Sequence, residues 1–402
     1  MDTKLAELID QKAINAVMAP IDSAMSLPAN AYTTQQWLGL EIERIFARRW
    51  MGVCFECELS EPGDVRAFEL FGMPLVAVRG DDRVLRVFHN ICPYDGCLVV
   101  REDDRGLNEI EVYYHGWRYD LRGRLLHAPF WNGSPNCGPH ELGGHDGNLT
   151  EIRSATGVGV LFINLDGKSK SLDDWLAPWR TYVSHEYAID ELVPARDALC
   201  NPLIETRVVN ANWKTYQENA SINVLHESFT HELYRQSPEV PRVDASAKPT
   251  FKPWTQGCLL AFAHSRKDSG NTYAPILLPS AGHDPGTAPE QGYFTTQYPN
   301  INIPLLDSMI KVNIAIPLSP DKTFLQHLRF YRPEALDADN FHREEAALQE
   351  LFDVVHYEDK LAIEAVQKAR SSPVCPQHFY APMWDTLHHR FNQLVMEDLE
   401  HV

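Results

Sequence analysis

Between residues 73 and 129 the chain runs twice through one pattern, β-branched and aromatic residues on either side of a turn dipeptide. MPLVAVRGDDRVLRVF folds around Gly80-Asp81 and EVYYHGWRYDLRGRLLHAP around Arg122-Gly123, as β-hairpins do. TGVGVLFINLDG, residues 156–167, adds a nearly all-apolar run that suits a buried strand. Residues 41–170 are therefore expected to form a compact antiparallel β domain. Ahead of it, residues 1–40 read as an N-terminal arm and helix start, because apolar residues recur at helical spacing over Thr33–Trp50 behind a Thr.

The pattern changes after Ser171-Leu172-Asp173-Asp174, which resembles a capping box opening a short helix through Trp175. Residues 171–190 read as a linker. Residues 191–402 mix strands at 203–209, 258–264, 308–317 and 323–331 with a helix from Asn212, a long one from Asn340 to Arg370 and a last one from Pro382. Such non-alternating order is an α+β pattern. Trp384, Leu387, Phe391 and Leu394 share one face of the last helix, which should dock on the core and leave His388 and His389 on the solvated side. The Gly-, Pro-, Ser- and Asp-rich stretch from Ser265 to Gly292 is long for a connection; it reads as a lid or binding loop, or as plain surface chain.

The formal charge of −19 argues against nucleic acid or an anionic membrane as partner, since both are polyanions. MDTKLAELIDQKAINAVM scatters its charges through a helical pattern and lacks the basic and apolar regions of a secretory signal. No apolar run approaches the length needed to span a bilayer. Eight cysteines in 402 residues are too sparse for a disulfide scaffold, so reduced thiols and a cytoplasmic location are expected.

Three stretches carry metal-binding residue types. In ENASINVLHESFTHEL, His226 and His231 are separated by four residues. Five positions advance a helix by roughly 500°, so both imidazoles reach one ion only if the helix ends between or just after them. Two imidazoles and a carboxylate with open positions describe a non-haem Fe(II) oxygenase site; two unrelated histidines at a helix end fit the spacing equally well. Asp359, in VVHYEDKLAIEAVQKAR on the long helix, could supply the carboxylate, although Glu358, Asp359 and Glu364 also suit a solvated face. The third stretch is FHNICPYDGCLVV with its downstream partner VYYHGW.

This last pair resembles the Rieske motif, Cys-x-His followed by Cys-x-x-His, in which thiolates hold one iron and imidazoles the other. The corresponding positions are Cys92, Tyr94, Val112 and His115, with 17 residues between Tyr94 and Val112. AYTTQQWLGLEIERIFARRWMGV, HGWRYDLRGRLLHAP, NWKTYQENASINVLHESFTH and YEDKLAIEAVQ extend the likeness over most of the chain. Together they resemble the catalytic (alpha) subunits of Rieske non-haem iron oxygenases of the ring-hydroxylating and demethylating type. The resemblance implies a Rieske-like β domain followed by a helix-grip (START-like) α+β catalytic domain, a trimeric ring, and mononuclear iron at His226, His231 and Asp359. It also implies that Asn219 lies near that site without ligating iron.

The departures fall on electron delivery. Val112 has no donor atom and Tyr94 puts a phenol where an imidazole is needed, so a [2Fe–2S] cluster is expected to be absent. A zinc site of Cys54, Cys57, Cys92 and Cys97 stands beside buried free thiols as a reading of the cysteines. Tyr94 is expected to fill the vacated space near Val112. Asn223 stands where the family has the carboxylate that joins the iron to a neighbouring subunit's cluster, so this bridge is altered. Two readings follow. The chain is a cluster-less oxygenase component acting on O2 and a small apolar or aromatic substrate, with electrons from a complete Rieske subunit or a ferredoxin and reductase; or it is a non-catalytic partner in a hetero-hexamer. Residues of TTQYPNINIP and the Ser265–Gly292 loop are candidate pocket positions.

Overall fold

The computed structural model describes residues 3–232, 240, 248, 250–265 and 278–401. They form two compact units, residues 52–172 and residues 1–51 with 173–402. The N-terminal arm thus belongs to the larger unit, and the stretch read as a linker is largely helix, Leu172–Val183. Of the Ser265–Gly292 stretch, residues 266–277 lie outside the described residues.

The smaller unit carries β1 (Met51–Phe55), β2 (Val65–Leu70), β3 (Met73–Arg79), β4 (Leu85–His89), β5 (Ile110–Glu111), β6 (Arg118–Tyr119), β7 (Leu125–His127), β8 (Glu151–Gly157) and β9 (Val160–Asn164). Six of them form a sheet in the order β1-β9-β8-β4-β3-β2, and β5-β6-β7 form a second. Both hairpins anticipated from the turn dipeptides form. Gly123 is required at its turn: it takes φ +78°, and a Cβ there would come within 2.5 Å of the Phe88 ring. Val76, Val78, Phe88, Cys92, Val112, Trp117 and Tyr119 share one apolar core, which lies under the two metal-motif loops.

The larger unit contains β10 (Val193–Pro194), β11 (Glu205–Val209), β12 (Pro253–Gln256), β13 (Leu259–Ser265), β14 (Gln291–Gln297), β15 (Ile301–Asn302), β16 (Met309–Ser319) and β17 (Lys322–Tyr331). They make one sheet ordered β10-β17-β16-β15-β14-β13-β12, with β11 also on β17. Its helices are α1 (Thr3–Ala6), α2 (Gln11–Met18), α3 (Gln35–Glu41), α4 (Leu172–Val183), α5 (Trp213–Asn219), α6 (Val224–Thr230), α7 (Pro333–Leu336), α8 (Phe341–Arg370) and α9 (Thr386–Glu400). α8 lays one stripe on the sheet: Phe341, Leu348 and Phe352 pack with Met309 and Tyr331, and Ile363 packs with Val209, Ala315 and Leu325.

α3 runs into a π-helical turn at Ile42–Phe46. Glu41, at that junction, is fully buried and pairs with fully buried Lys214 at 2.6 Å. Trp213 donates its indole N–H to Glu41 at 2.8 Å. This pairing ties the N-terminal arm to α5, which explains why the arm is not a separate segment. α9 buries Leu387, Phe391 and Leu394 as anticipated, but its other side is covered as well. His389 is buried and donates to the Val17 carbonyl at 3.0 Å, and His388 sits 3.4 Å from Glu218. The expectation that both histidines face solvent is therefore corrected: α2 packs against α9 at His389, and Glu218 of α5 lies against His388.

Candidate metal centre

Asn212 caps α5, its side-chain oxygen accepting from Lys214 N at 3.0 Å. The helix stops at Asn219. Asn223 then caps α6, its side chain accepting from His226 N at 3.2 Å. His231 follows the last residue of α6 and is extended, with φ −104° and ψ 122°. The helix therefore ends where the spacing required, and the two imidazole centroids come within 5.4 Å.

Asp359, on α8, faces both rings. Its Oδ1 lies 3.2 Å from His226 Nε2 and 3.2 Å from His231 Nε2. One ligand atom from each of the three residues falls within 4.8 Å of the others. Metal bonds of about 2.0–2.2 Å at right angles separate ligand atoms by roughly 3 Å, so the observed spacing needs little adjustment to take an ion. The far ring nitrogens are engaged: His226 Nδ1–H donates to the Asn223 carbonyl at 2.6 Å and His231 Nδ1–H to Glu358 Oε2 at 2.8 Å. Such partners fix the tautomer with its lone pair at Nε2. Asn219 donates to Asp359 Oδ1 at 2.8 Å, so it touches the site.

The electrostatics agree with this donor set. Burial pushes the Asp359 carboxyl up, but hydrogen bonds from both histidines override it and hold the group far below the usual carboxylate range. Burial likewise opposes charge on His231, yet Asp359 raises its imidazole to about 9. Without a cation, protons on the imidazole Nε2 atoms pair with the ionised carboxylate; a metal ion would replace those protons and meet the Nε2 lone pairs. Two imidazoles, one carboxylate and oriented lone pairs fit an Fe(II) ion.

From the sequence Glu358 reads only as part of a solvated face; the structure places it against His231 Nδ1. The signal available was its adjacency to Asp359, which becomes meaningful only once His231 leaves the helix. Glu218, beside Asn219 in the chain, is buried against Arg370 at 2.8 Å and accepts from Tyr32 at 2.5 Å, joining the arm to α5 and α8.

Beside Asp359 lies a pocket whose apolar wall includes Val209, Phe294, Leu306, Phe352 and Ile363. Its polar lining includes Arg207, Lys311, Asn313, His327 and His356. Lys311 is buried and donates to His356 Nε2 at 2.7 Å. Burial, reinforced by Arg329 and Arg207 and partly offset by Glu205, brings its ammonium down to about 7. Burial and the same cations keep both His327 and His356 neutral. Phe294 and Pro304 are the pocket residues from the stretch TTQYPNINIP and its flank.

In the smaller unit, Cys92 and Val112 are fully buried in the apolar core. Tyr94 does not fill the space beside Val112, which corrects the expectation. It is 51% exposed, stacked on Trp117 at 5.2 Å and edge-on to His115 at 4.9 Å. Stacking on Trp117 covers one face of the ring, and at this exposure the hydroxyl needs no buried partner. The four Rieske positions therefore offer two donors, Cys92 and His115, and do not fit the two-thiolate, two-imidazole ligation of a [2Fe–2S] centre.

Fold and site define a Rieske-type oxygenase catalytic subunit. The chain belongs to the ring hydroxylating alpha subunit family: residues 176–401 match its catalytic-domain model, and residues 49–137 match the Rieske [2Fe-2S] domain. Family members are oxygenases, oxidoreductases that use mononuclear iron, O2 and electron-transfer partners and form oligomers. The chain is 28% identical to the 2-aminobenzenesulfonate 2,3-dioxygenase alpha subunit of Alcaligenes sp., over 71% of this chain and 69% of that one. It is 26% identical to the carnitine monooxygenase oxygenase subunit of Escherichia coli K12, over 87% and 85%. Among solved structures, a quaternary ammonium Rieske monooxygenase superposes with TM-score 0.74 at 20% identity, over 96% of this chain and 98% of that one. Naphthalene 1,2-dioxygenase from Rhodococcus sp. gives 0.76 at 18%, over all of both chains. Among the described residues no helix is long and apolar enough to cross a membrane.

Proposed function

We propose that this chain is an oxygenase component that works without a [2Fe–2S] cluster of its own. His226, His231 and Asp359 hold one Fe(II), electrons come from a Rieske or ferredoxin centre on another chain, and the assembly is a trimer or a hetero-hexamer with a complete subunit. The substrate is a small, largely apolar molecule that carries an acid group and is hydroxylated or demethylated. The observation that carries this reading is the convergence of the three ligand atoms, with the far nitrogen of each imidazole tied to an acceptor.

When bound, the iron supplies the positions at which O2 is activated beside the substrate. The protein's own groups do the rest. The Asn223 carbonyl and Glu358 hold the two rings in place, and the Asn219 amide fixes the Asp359 oxygen. Phe294, Phe352 and Ile363 exclude water from the apolar part of the pocket. Lys311 and Arg207, both lining the pocket, offer a carboxylate or sulfonate two donors. Two relatives are named for compounds with acid groups, carnitine and 2-aminobenzenesulfonate, which supports this substrate class.

The test is turnover of candidate acids by the Fe(II)-loaded chain with an external ferredoxin and reductase. His226→Ala should abolish product while leaving the oligomer intact. If the native chain takes up no iron at this site and only co-assembles with a complete subunit, it is a structural partner and the proposal fails.

A further inference from the structure

The two loops that correspond to the Rieske motif share one backbone design. Cys92 N donates to Cys97 O at 2.8 Å and Gly96 N to Cys92 O at 2.9 Å; Val112 N donates to Trp117 O at 2.8 Å and Gly116 N to Val112 O at 2.8 Å. In each loop the fifth residue is a glycine in the left-handed region, φ +77° at Gly96 and +74° at Gly116. The two loops thus share one form, although of the motif's four ligand types only those at Cys92 and His115 are present. Two other donors stand on the first loop, Asp95 and Cys97.

These donors meet what remains of the motif. Cys97 Sγ lies 3.5 Å from His115 Nε2, and Asp95 Oδ1 lies 3.3 Å from the same nitrogen. One ligand atom each from Cys92, Asp95, Cys97 and His115 falls within 4.8 Å of all the others. Nδ1 of His115 is buried with no hydrogen-bond partner among the described residues, so the ring's polar contacts run to this group. A tetrahedral ion with bonds of about 2.0–2.3 Å sets its ligand atoms roughly 3.3–3.8 Å apart, the range of the two spacings at His115 Nε2.

We propose that Cys92, Asp95, Cys97 and His115 form a closed, four-ligand site for one thiophilic divalent cation of the zinc class, joining the two loops where the family holds a cluster. Two thiolates, an imidazole and a carboxylate are ligands zinc accepts in structural sites. Neither Cys54 nor Cys57 belongs to this group, so it is not the four-cysteine arrangement considered from sequence. Being redox-inert, zinc keeps the loop pair in shape without carrying electrons. The inference rests on the functional reading above only in that no [2Fe–2S] centre occupies these residues.

The test uses the full chain carrying His226→Ala, which weakens the histidine–aspartate site, and Zn²⁺ or Co²⁺ as the probe. About one equivalent of zinc should survive gel filtration. Cobalt should give thiolate-to-metal charge-transfer absorption, which a site of imidazole and carboxylate cannot produce. Asp95→Asn should weaken cobalt binding at least about 10-fold, and Cys97→Ser should remove part of the charge-transfer band. Asp95 is partly exposed and its substitution is nearly isosteric, so that variant reports even if Cys97→Ser does not fold. Absence of the thiolate signature, unchanged affinity in Asp95→Asn, or iron with acid-labile sulfide at this position would each overturn the proposal. Iron uptake by the chain with His226 intact is read separately, so failure here leaves the oxygenase reading to its own experiment.

Discussion

Lys311 concentrates the residue-scale argument. Its ammonium is buried beside neutral imidazoles and near Arg207, and its proton is held only to about 7. Between about pH 7 and 10.5 the unfolded chain binds this proton and the folded chain does not, so the group's contribution to stability rises with pH across that window. An acid in the pocket reverses the preference by stabilising the ammonium. Affinity for an anionic substrate should therefore fall as pH rises above about 7, and calorimetry above that pH should record proton uptake on binding. Lys311→Met should weaken binding of the acid roughly 10- to 100-fold, in line with about 1.5–3 kcal/mol for a charged hydrogen bond, with little effect on an uncharged analogue. Equal loss for both ligands would remove Lys311 from substrate recognition. Glu358→Gln tests the other new residue: Fe(II) affinity should drop about 10- to 100-fold through loss of the carboxylate that orients His231. None of this could be read from the sequence. Lys311 lies on a strand whose burial on both faces is set by the sheet's partners, and Glu358 looked like any charged residue on a helix.

At the scale of elements, the decisive feature is the end of α6. The spacing of His226 and His231 stated the condition for convergence, and the extended conformation of His231 meets it. Asn223 occupies the altered bridge position and caps this helix, while its carbonyl orients His226. Asn223→Ala should cost about 1 kcal/mol in stability through loss of the cap, read from the denaturation midpoint, and leave the backbone bond to His226 in place. A larger loss with abolished metal binding would mean the side chain holds the site together. α8 and the β16–β17 pair were legible because long periodic runs leave few alternatives. The motif fixes the place of Tyr94 along the chain but not whether its ring points inward; the ring stacks on Trp117, itself a core residue, while remaining half exposed. The burial of His389 and the contact of His388 escape the sequence pattern because a helix covered on two sides presents no simple solvated face.

For the whole molecule, the likeness to Rieske oxygenases was legible over most of the chain, since the glycine turns, the histidine pair and the long helix lie in the family's order. The division into units was less so. The arm joins the larger unit through the buried Glu41–Lys214 pair, a tertiary contact that no local pattern announces. The central claim is a division of labour: this chain keeps an iron site for oxygen chemistry and receives its electrons from elsewhere. Iron and acid-labile sulfide measured together on the anaerobically purified chain, with an electron paramagnetic resonance spectrum of the reduced sample, test it most directly. The account predicts about one iron per chain, lost in Asp359→Ala, with no acid-labile sulfide and no Rieske signal. Sulfide in step with two further irons per chain, together with that signal, would contradict it.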